Sequence, residues 1–440
     1  MTKDKSAILV SQGHYYLFRS TGILYINQLS EKYLIDLVVP REFSQIQGFF
    51  DILKLINIRK IYYLEETIYF KKKKTSFDKI RNYLSHFNIF THFKIKRVCQ
   101  KIFNDSFYEA YFSHDYIECE HIYLFKYFRD NNPGKPIISI TSSQPSNENI
   151  IPGFKVIKSN NARAISRGIP ILHEIVLGVF YFMRYFQSLF QNIILPFFVS
   201  GVFRPYLLLS AFNNIDIVPR KGFFDYMIVY EKIEKDFYDS LFRGVVCVER
   251  VSHPINGQGN LMSQMYGSVS GKNISIFLST LGLGYGVFEQ ELKAWTSLIF
   301  ELLAMDTAYV ISVKFHPHMS HQTIEKTSAA FKKKFGDSIA LYSGTDTAAE
   351  ELIYQSQIVI GDVSSTLIWA QYFYDKKVFS LVNSGYSNYQ DMARYPRIRL
   401  TENYESVIID IQDANSLEYM HESNGVSKTT ILDWLMRIKV

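Results

Sequence analysis

The chain is 440 residues long, 47% hydrophobic and 16% aromatic, with a formal net charge of +6. This composition excludes a disordered or fibrous protein, and at about 150 residues per domain the length implies two or three domains. The three cysteines, Cys99, Cys119 and Cys247, are odd in number and widely spaced, which excludes a disulfide framework or a zinc knuckle and fits a reducing compartment. The apolar run from Ala7 to Val10 is too short for a secretory signal, so the expected location is cytoplasmic.

The charge is unevenly spread. Residues 1–110 hold 18 Lys and Arg against 10 Asp and Glu, so this stretch carries +8 and the remainder about −2. The basic residues concentrate in Lys71 to Lys74 and in KIRNYLSHFNIFTHFKIKRVCQK, residues 79–101. A solvated face accounts for such a run; an acidic acceptor or an anionic lipid accounts for it more specifically. No nucleic-acid motif is recognisable, and nucleic acid is the least favoured partner.

The first segment, SAILVSQGHYYLFRSTGILYINQLSEKYLIDLVVP, reads as strand, loop, helix and strand, with Pro40 closing the second strand. The runs KIYYLEETIYF, FKIKRVCQ and YEAYFSH follow, with helix-like stretches between several of them. A helix over HIYLFKYFRDN, from His121 to Asn131, stops at NNPGKP and hands over to the strand PIISI. Strands alternating with helical patterns imply a parallel sheet covered on both faces.

Residues 168–212 break this rhythm. Over that span only Glu174, Arg184 and Arg204 are charged, and the longest uncharged piece runs from Tyr185 to Phe203. That length approaches a membrane span, but Gln187, Gln191, Asn192 and Pro196 are poor choices for a lipid-exposed helix. The expectation is an apolar helical segment packed over a domain, with peripheral contact at the inner membrane left open.

The α/β rhythm resumes with DYMIVY, EKIEKDFYDSLF and VVCVERV. The polar, Gly- and Ser-rich residues 256–273 then read as a linker, dividing an N-terminal domain (1–255) from a C-terminal one (274–440). The second domain opens with the strand ISIFLST, the turn LGLGYG and a long helix, FEQELKAWTSLIFELLAM. After these come the strand YVISVKF, the helix HQTIEKTSAAFKKKF, the strand IALYS, a helix from Asp346, the strand IVIG, a helix from Ser364 or Ser365, and the strand KVFSLV.

In open parallel sheets ligands bind outside the carboxyl ends of the strands. Three strand ends here are chemically suggestive. The turn containing Gly282, Gly284 and Gly286 lets backbone approach a ligand closely, although its spacing is neither a P-loop nor a dinucleotide fingerprint. Lys314 and His316 end the strand YVISVKF, and Pro317 forces the chain out of the sheet. An imidazole so placed can donate to a phosphate and, when protonated, adds charge. After IVIG come Asp362, Ser364 and Ser365; small hydroxyl residues there cap the next helix while its free N–H groups face an anion. Glu350 and Glu351, following Thr345-Asp346 as a helix cap, fit either a ribose contact or a capping-box carboxylate with a solvated neighbour.

The motifs VKFHPHMS and VIGDVSSTLIWAQYF resemble the HP and Ser-Ser motifs of bacterial sialyltransferases and polysialyltransferases of the GT-B fold. The CDP-glycerol glycerophosphotransferases of teichoic acid synthesis and the Kdo transferases of capsule synthesis are similar relatives. The resemblance covers the C-terminal domain. It implies a GT-B protein of two Rossmann-like α/β domains, with parallel sheets facing a central cleft. It also implies a nucleotide donor whose phosphate is held by His316, Ser364 and Ser365; from their places at the strand ends, Lys314, Pro317, Gly282, Gly284 and Glu350 are expected as further donor contacts. No metal and no separate cofactor are implied, the CMP-sugar being the donor substrate, and His316 would stabilise the departing CMP. The implied partner is an anionic or lipid-linked glycan acceptor of a bacterial surface polymer, capsule or lipooligosaccharide.

The family's acidic motif after an N-domain strand is missing. The comparable place reads Thr141-Ser142-Ser143-Gln144-Pro145-Ser146, with Glu148 the nearest acid. The candidates for the base are Asp115, Glu118 and Glu120, with His114 and His14 beside them. Alternatives that remain are a CMP-Kdo or CDP-glycerol-dependent transferase, and a catalytically silent protein that keeps the fold.

Overall fold

The computed structural model describes residues 6–64, 89–140, 224–267, 272–343, 347–381, 395–413 and 427–438, short gaps within these ranges excepted, and scattered residues between 171 and 200. The chain divides into two units, the first drawn from Met1–Ser142, Ala162–Pro254 and Ser427–Val440, the second containing Ile255–Val426.

The first unit is built on seven strands: β1 (Ala7–Gln12), β2 (Leu34–Pro40), β3 (Ile58–Leu64), β4 (Ala110–His114), β5 (Ile137–Ile140), β6 (Tyr226–Val229) and β7 (Cys247–Arg250). They pair in the order β3-β2-β1-β4-β5-β6-β7, and every pairing is parallel. Parallel neighbours need crossover connections, which place helices on the faces. Among these are α1 (Ile23–Ser30), α2 (Ile89–Asn104), α3 (Cys119–Asn131), α4 (Leu195–Ser200) and α5 (Lys232–Phe242). All six residues of β1 are buried, as a central parallel strand covered on both faces requires. On one face Leu9, Tyr111, Ile137 and Met227 form a core with Ile95 and Ile102 of α2 and Phe125 and Phe128 of α3. On the other, Tyr25 of α1 lies 6.4 Å from Phe112 of β4, ring centre to ring centre.

The run FKIKRVCQ is not a strand. It lies inside α2, where His92, Ile95, Cys99, Ile102 and Phe103 are the buried positions. Their spacing of three, four, three and one follows one face of a 3.6-residue helix, and that period overrides the local alternation.

In the second unit, α6 (Gly259–Tyr266) precedes β8 (Lys272–Leu278). There follow α7 (Phe288–Met305), β9 (Tyr309–Phe315), α8 (His321–Phe335), β10 (Ile339–Tyr342), α9 (Ala349–Gln355), β11 (Ile358–Gly361), α10 (Ser365–Tyr372), β12 (Lys377–Leu381), β13 (Arg399–Thr401) and α11 (Tyr404–Asp413). The six strands order as β10-β9-β8-β11-β12-β13, all parallel. Ile276, Val313 and Ile360 meet Trp295, Leu298 and Leu302 of α7 on one face. On the opposite face Ser275 Oγ bonds Ser356 Oγ at 2.6 Å, just beyond α9.

Two expectations about the division need correction. The stretch 256–273 is not all linker: it contains α6, which buries Leu261, Met262 and Tyr266 and whose Tyr266 carbonyl accepts from the Gln355 amide at 2.8 Å. The C-terminal residues return to the first unit as α12 (Ile431–Arg437). There Trp434 packs edge-on against Tyr226 of β6 at 5.3 Å, and the Ser252 N–H donates to the Thr429 carbonyl at 2.8 Å. A tail with a buried face of Ile431, Trp434 and Leu435 is held where its apolar surface leaves water, whatever its position in the chain.

Most of the apolar segment expected at 168–212 lies outside the described residues. Among those described there, Ile171, Leu172, Ile175, Val179, Phe197 and Phe198 are exposed. Among the described residues no helix is long and apolar enough to cross a membrane.

Candidate functional site

Both sheets have the 3-2-1-4 strand order that places a topological switch point between the first and fourth strands of the unit. In the second unit this point lies between β8 and β11. The register sets Tyr342, Lys314, Phe277, Gly361, Ser380 and Leu400 in one row across the six strands. His316 follows this row on β9 and Ser364 follows it on β11. Two strand spacings separate β9 from β11, roughly 10 Å, so both residues stand at the same carboxyl edge of one sheet.

The backbone fixes His316 first. Its N–H donates to the Leu278 carbonyl at 3.1 Å, extending the β8–β9 ladder by one bond, and its carbonyl accepts from Met319 N–H at 3.0 Å as the chain turns away. The side chain is half-buried. Lys314 points the other way from the core residues Val313 and Phe315, is buried, and donates from Nζ to the Ser343 carbonyl at 3.2 Å.

Asp362 is the residue whose role the sequence did not reveal. It is buried, and its two carboxylate oxygens both accept the Ser279 N–H at 2.9 Å. The contact joins the ends of β8 and β11 across the switch point and anchors the first residue of the glycine-rich turn. A charge-assisted bond to backbone N–H is stronger than a neutral one. The available signal was an acid placed between a fully apolar strand and a hydroxyl pair. Gly361, just before it, has no room for a side chain: a Cβ would sit 3.0 Å from the Phe277 carbonyl and 3.1 Å from Leu367. The helix that follows can therefore pack close to the sheet.

Ser364 is the N-cap of α10. Its Oγ accepts the Thr366 N–H at 3.2 Å, and Ser365 is the first helical residue. The hydroxyl thus satisfies one of the free N–H groups at the helix start, while the start itself faces the carboxyl edge. Glu350 lies in the first turn of α9 and is buried. Its charge acts on Tyr374, whose pKa is raised well above the ordinary value by burial first, then by Tyr266 and Glu350. The expected cap residues Thr345 and Asp346 lie outside the described residues; Ala348 directly precedes the helix and makes no side-chain capping bond. Helix α9 begins where Leu352 and Ile353 can reach the core, not at the first hydroxyl in the sequence.

Gly282, Gly284 and Pro317 lie outside the described residues. So do Asp115, Glu118, Glu148, His14 and the stretch Thr141 to Ser146. Glu120 belongs to the first turn of α3, and His114 ends β4 opposite Gln12 of β1, at the switch point of the first unit. Among the described residues no group of three or more His, Cys, Asp or Glu side chains could hold a metal ion.

Two Rossmann-like units, each with a parallel sheet, define the class: this is the GT-B fold class. Solved structures agree. A UDP-GlcNAc 2-epimerase from Neisseria meningitidis, bound to UDP-GlcNAc, is similar with a TM-score of 0.53 at 8% identity, over 98% of each chain. Another UDP-N-acetylglucosamine 2-epimerase has a TM-score of 0.53 at 8% identity, over 95% of this chain and 89% of that one. The S. aureus MnaA–UDP structure reaches 0.50 at 11% identity, over 98% and 95%. At such identities the likeness is one of fold. More narrowly, residues 279–383 match the model of the alpha-2,8-polysialyltransferase family, a stretch that begins at the turn after β8 and includes His316, Asp362 and Ser364. No curated protein matches the chain.

Proposed function

We propose that the protein is an inverting, metal-independent glycosyltransferase that moves a sialic-acid-like sugar from a CMP-activated donor to a bacterial surface glycan. The observation that carries this reading is the polysialyltransferase-family match over residues 279–383, the part of the chain that supplies the carboxyl edge of β8, β9 and β11. In this reading the donor phosphate sits between His316 and the start of α10. His316 donates to a phosphate oxygen and, protonated, offsets the charge that builds on the departing CMP. The backbone N–H groups at the start of α10 supply a second set of donors. Asp362 does not touch the donor; it positions the Ser279 turn. Attack by an acceptor hydroxyl breaks the bond from the sugar's anomeric carbon to the phosphate oxygen and forms the new glycosidic bond with inversion. The acceptor proton passes to a base drawn from Asp115, Glu118 or Glu120.

Calorimetric titration with CMP, CDP, UDP and GDP, first without and then with magnesium, tests the donor. Selective CMP binding without metal, lost in His316→Ala, is expected, together with a fall in turnover of about 100-fold in that variant. Preference for UDP or GDP, or unaltered binding and turnover in folded His316→Ala, would overturn the assignment.

A further inference from the structure

Helix α2 is amphipathic in an unusual sense. Its buried stripe is apolar apart from His92, and its solvent face carries Phe90, Phe93, Lys94, Arg97 and Lys101. The helix has four basic residues, the fourth being Lys96, and no acidic one. Phe90 is 73% exposed and Phe93 42%. Lys96 Nζ donates to the Val199 carbonyl at 2.9 Å, which ties α4 to this helix, and Val199 itself is in the core. Beside that anchor Phe197 is 49% and Phe198 73% exposed, their rings 5.8 Å apart. Upstream in the chain Ile171, Ile175 and Val179, exposed and four residues apart, continue the apolar character.

Large exposed aromatics beside a one-signed charged face mark an interaction surface. We propose that the face formed by α2 and α4 docks the protein on an anionic phospholipid bilayer. Charge complementarity selects this occupant. A second copy of the chain would bring the same three exposed cations, Lys94, Arg97 and Lys101, against each other, whereas anionic headgroups neutralise them while the phenylalanines enter the acyl boundary. The proposal does not rest on the transfer reaction.

The test is co-sedimentation of the full chain with phosphatidylcholine vesicles, with and without phosphatidylglycerol, at low and high salt. Binding to the phosphatidylglycerol vesicles, weakened by salt, is expected. Arg97→Glu with Lys101→Glu should lower the partition coefficient about 25-fold or more, at roughly fivefold per basic residue. Phe197→Ser with Phe198→Ser should lower it by about tenfold or more. Because these side chains are exposed, both variants should melt with the parent, so lost binding reports the surface and not the fold. The proposal is overturned by a parent protein that ignores phosphatidylglycerol, or by variants that bind as the parent does. It is equally overturned by a parent dimer that the phenylalanine changes disperse without any vesicle binding, which would assign the face to a second copy.

Discussion

The two sheets share a strand order and differ at their carboxyl edges. In the second unit the switch point is bridged by the Asp362 carboxylate on the Ser279 N–H, and Lys314, His316 and the start of α10 come to that edge. In the first unit the corresponding row is Ser11, Ser113 and Ser139, on three adjacent strands and all buried. Here Ser11 Oγ bonds the Tyr111 hydroxyl at 2.8 Å, and the Gln12 amide donates to the Tyr25 hydroxyl. Burial raises the pKa of both tyrosines, so they serve as neutral hydrogen-bonding groups. One topology thus carries a buried carboxylate at one switch point and a row of neutral hydroxyls at the other. The side chains at the last strand positions decide the chemistry, and the backbone order only decides where it can occur.

Acid should separate the two units most strongly. Burial lowers His92 to about 4 and His253 to about 3, from 6.5, and both lie in the first unit. Each is neutral when folded and gains a proton on unfolding below pH 6.5. The stability they protect is therefore complete above 6.5 and is lost as the pH falls toward 4. Each contributes a slope of about 1.4 kcal/mol per pH unit, and together they should cost on the order of 5 kcal/mol by pH 4.5. Denaturant titrations can resolve the units, since Trp434 reports the first and Trp295 and Trp369 the second. His253→Gln should halve the slope seen by Trp434 and leave the signal from the second unit unchanged. Equal acid sensitivity of the two units would break the comparison.

Removing the bridge is the next largest effect. Asp362→Ala leaves the Ser279 N–H without its acceptor and should destabilise the second unit by about 2–3 kcal/mol, with Asp362→Asn costing about half as much. The Trp295 and Trp369 signals would measure it, and an unshifted midpoint for Asp362→Ala would show that the carboxylate does not hold the edge together. Ser364→Ala should do least, about 1 kcal/mol for a lost N-cap. A larger loss of CMP affinity than of stability would mark the hydroxyl as a ligand contact beyond its capping role.

Much of the second unit was legible in the sequence. The strands Tyr309–Phe315 and Ile358–Gly361 and the helices Phe288–Met305 and His321–Phe335 stand where periodicity and stop signals place them, because each carries one unambiguous period between clear turns. The run FKIKRVCQ misled because eight residues satisfy both a strand and a helix pattern until their partners are known. The candidate site was half legible. His316 and Ser364 announce themselves at strand ends, but an acid such as Asp362 looks the same in sequence whether it faces solvent, a ligand or a backbone N–H.

By itself the sequence determined the alternation of strands and helices, hence the parallel sheets, and the residue types at the strand ends. These are local consequences of side-chain period, β-branching and turn residues. Only the tertiary structure decided that residues 427–440 belong to the first unit, that α9 starts at Ala349, and that Asp362 reaches Ser279 across 83 positions of chain. Contacts of that range depend on which apolar faces find each other and on strand register. A single chain read in order carries no direct record of either.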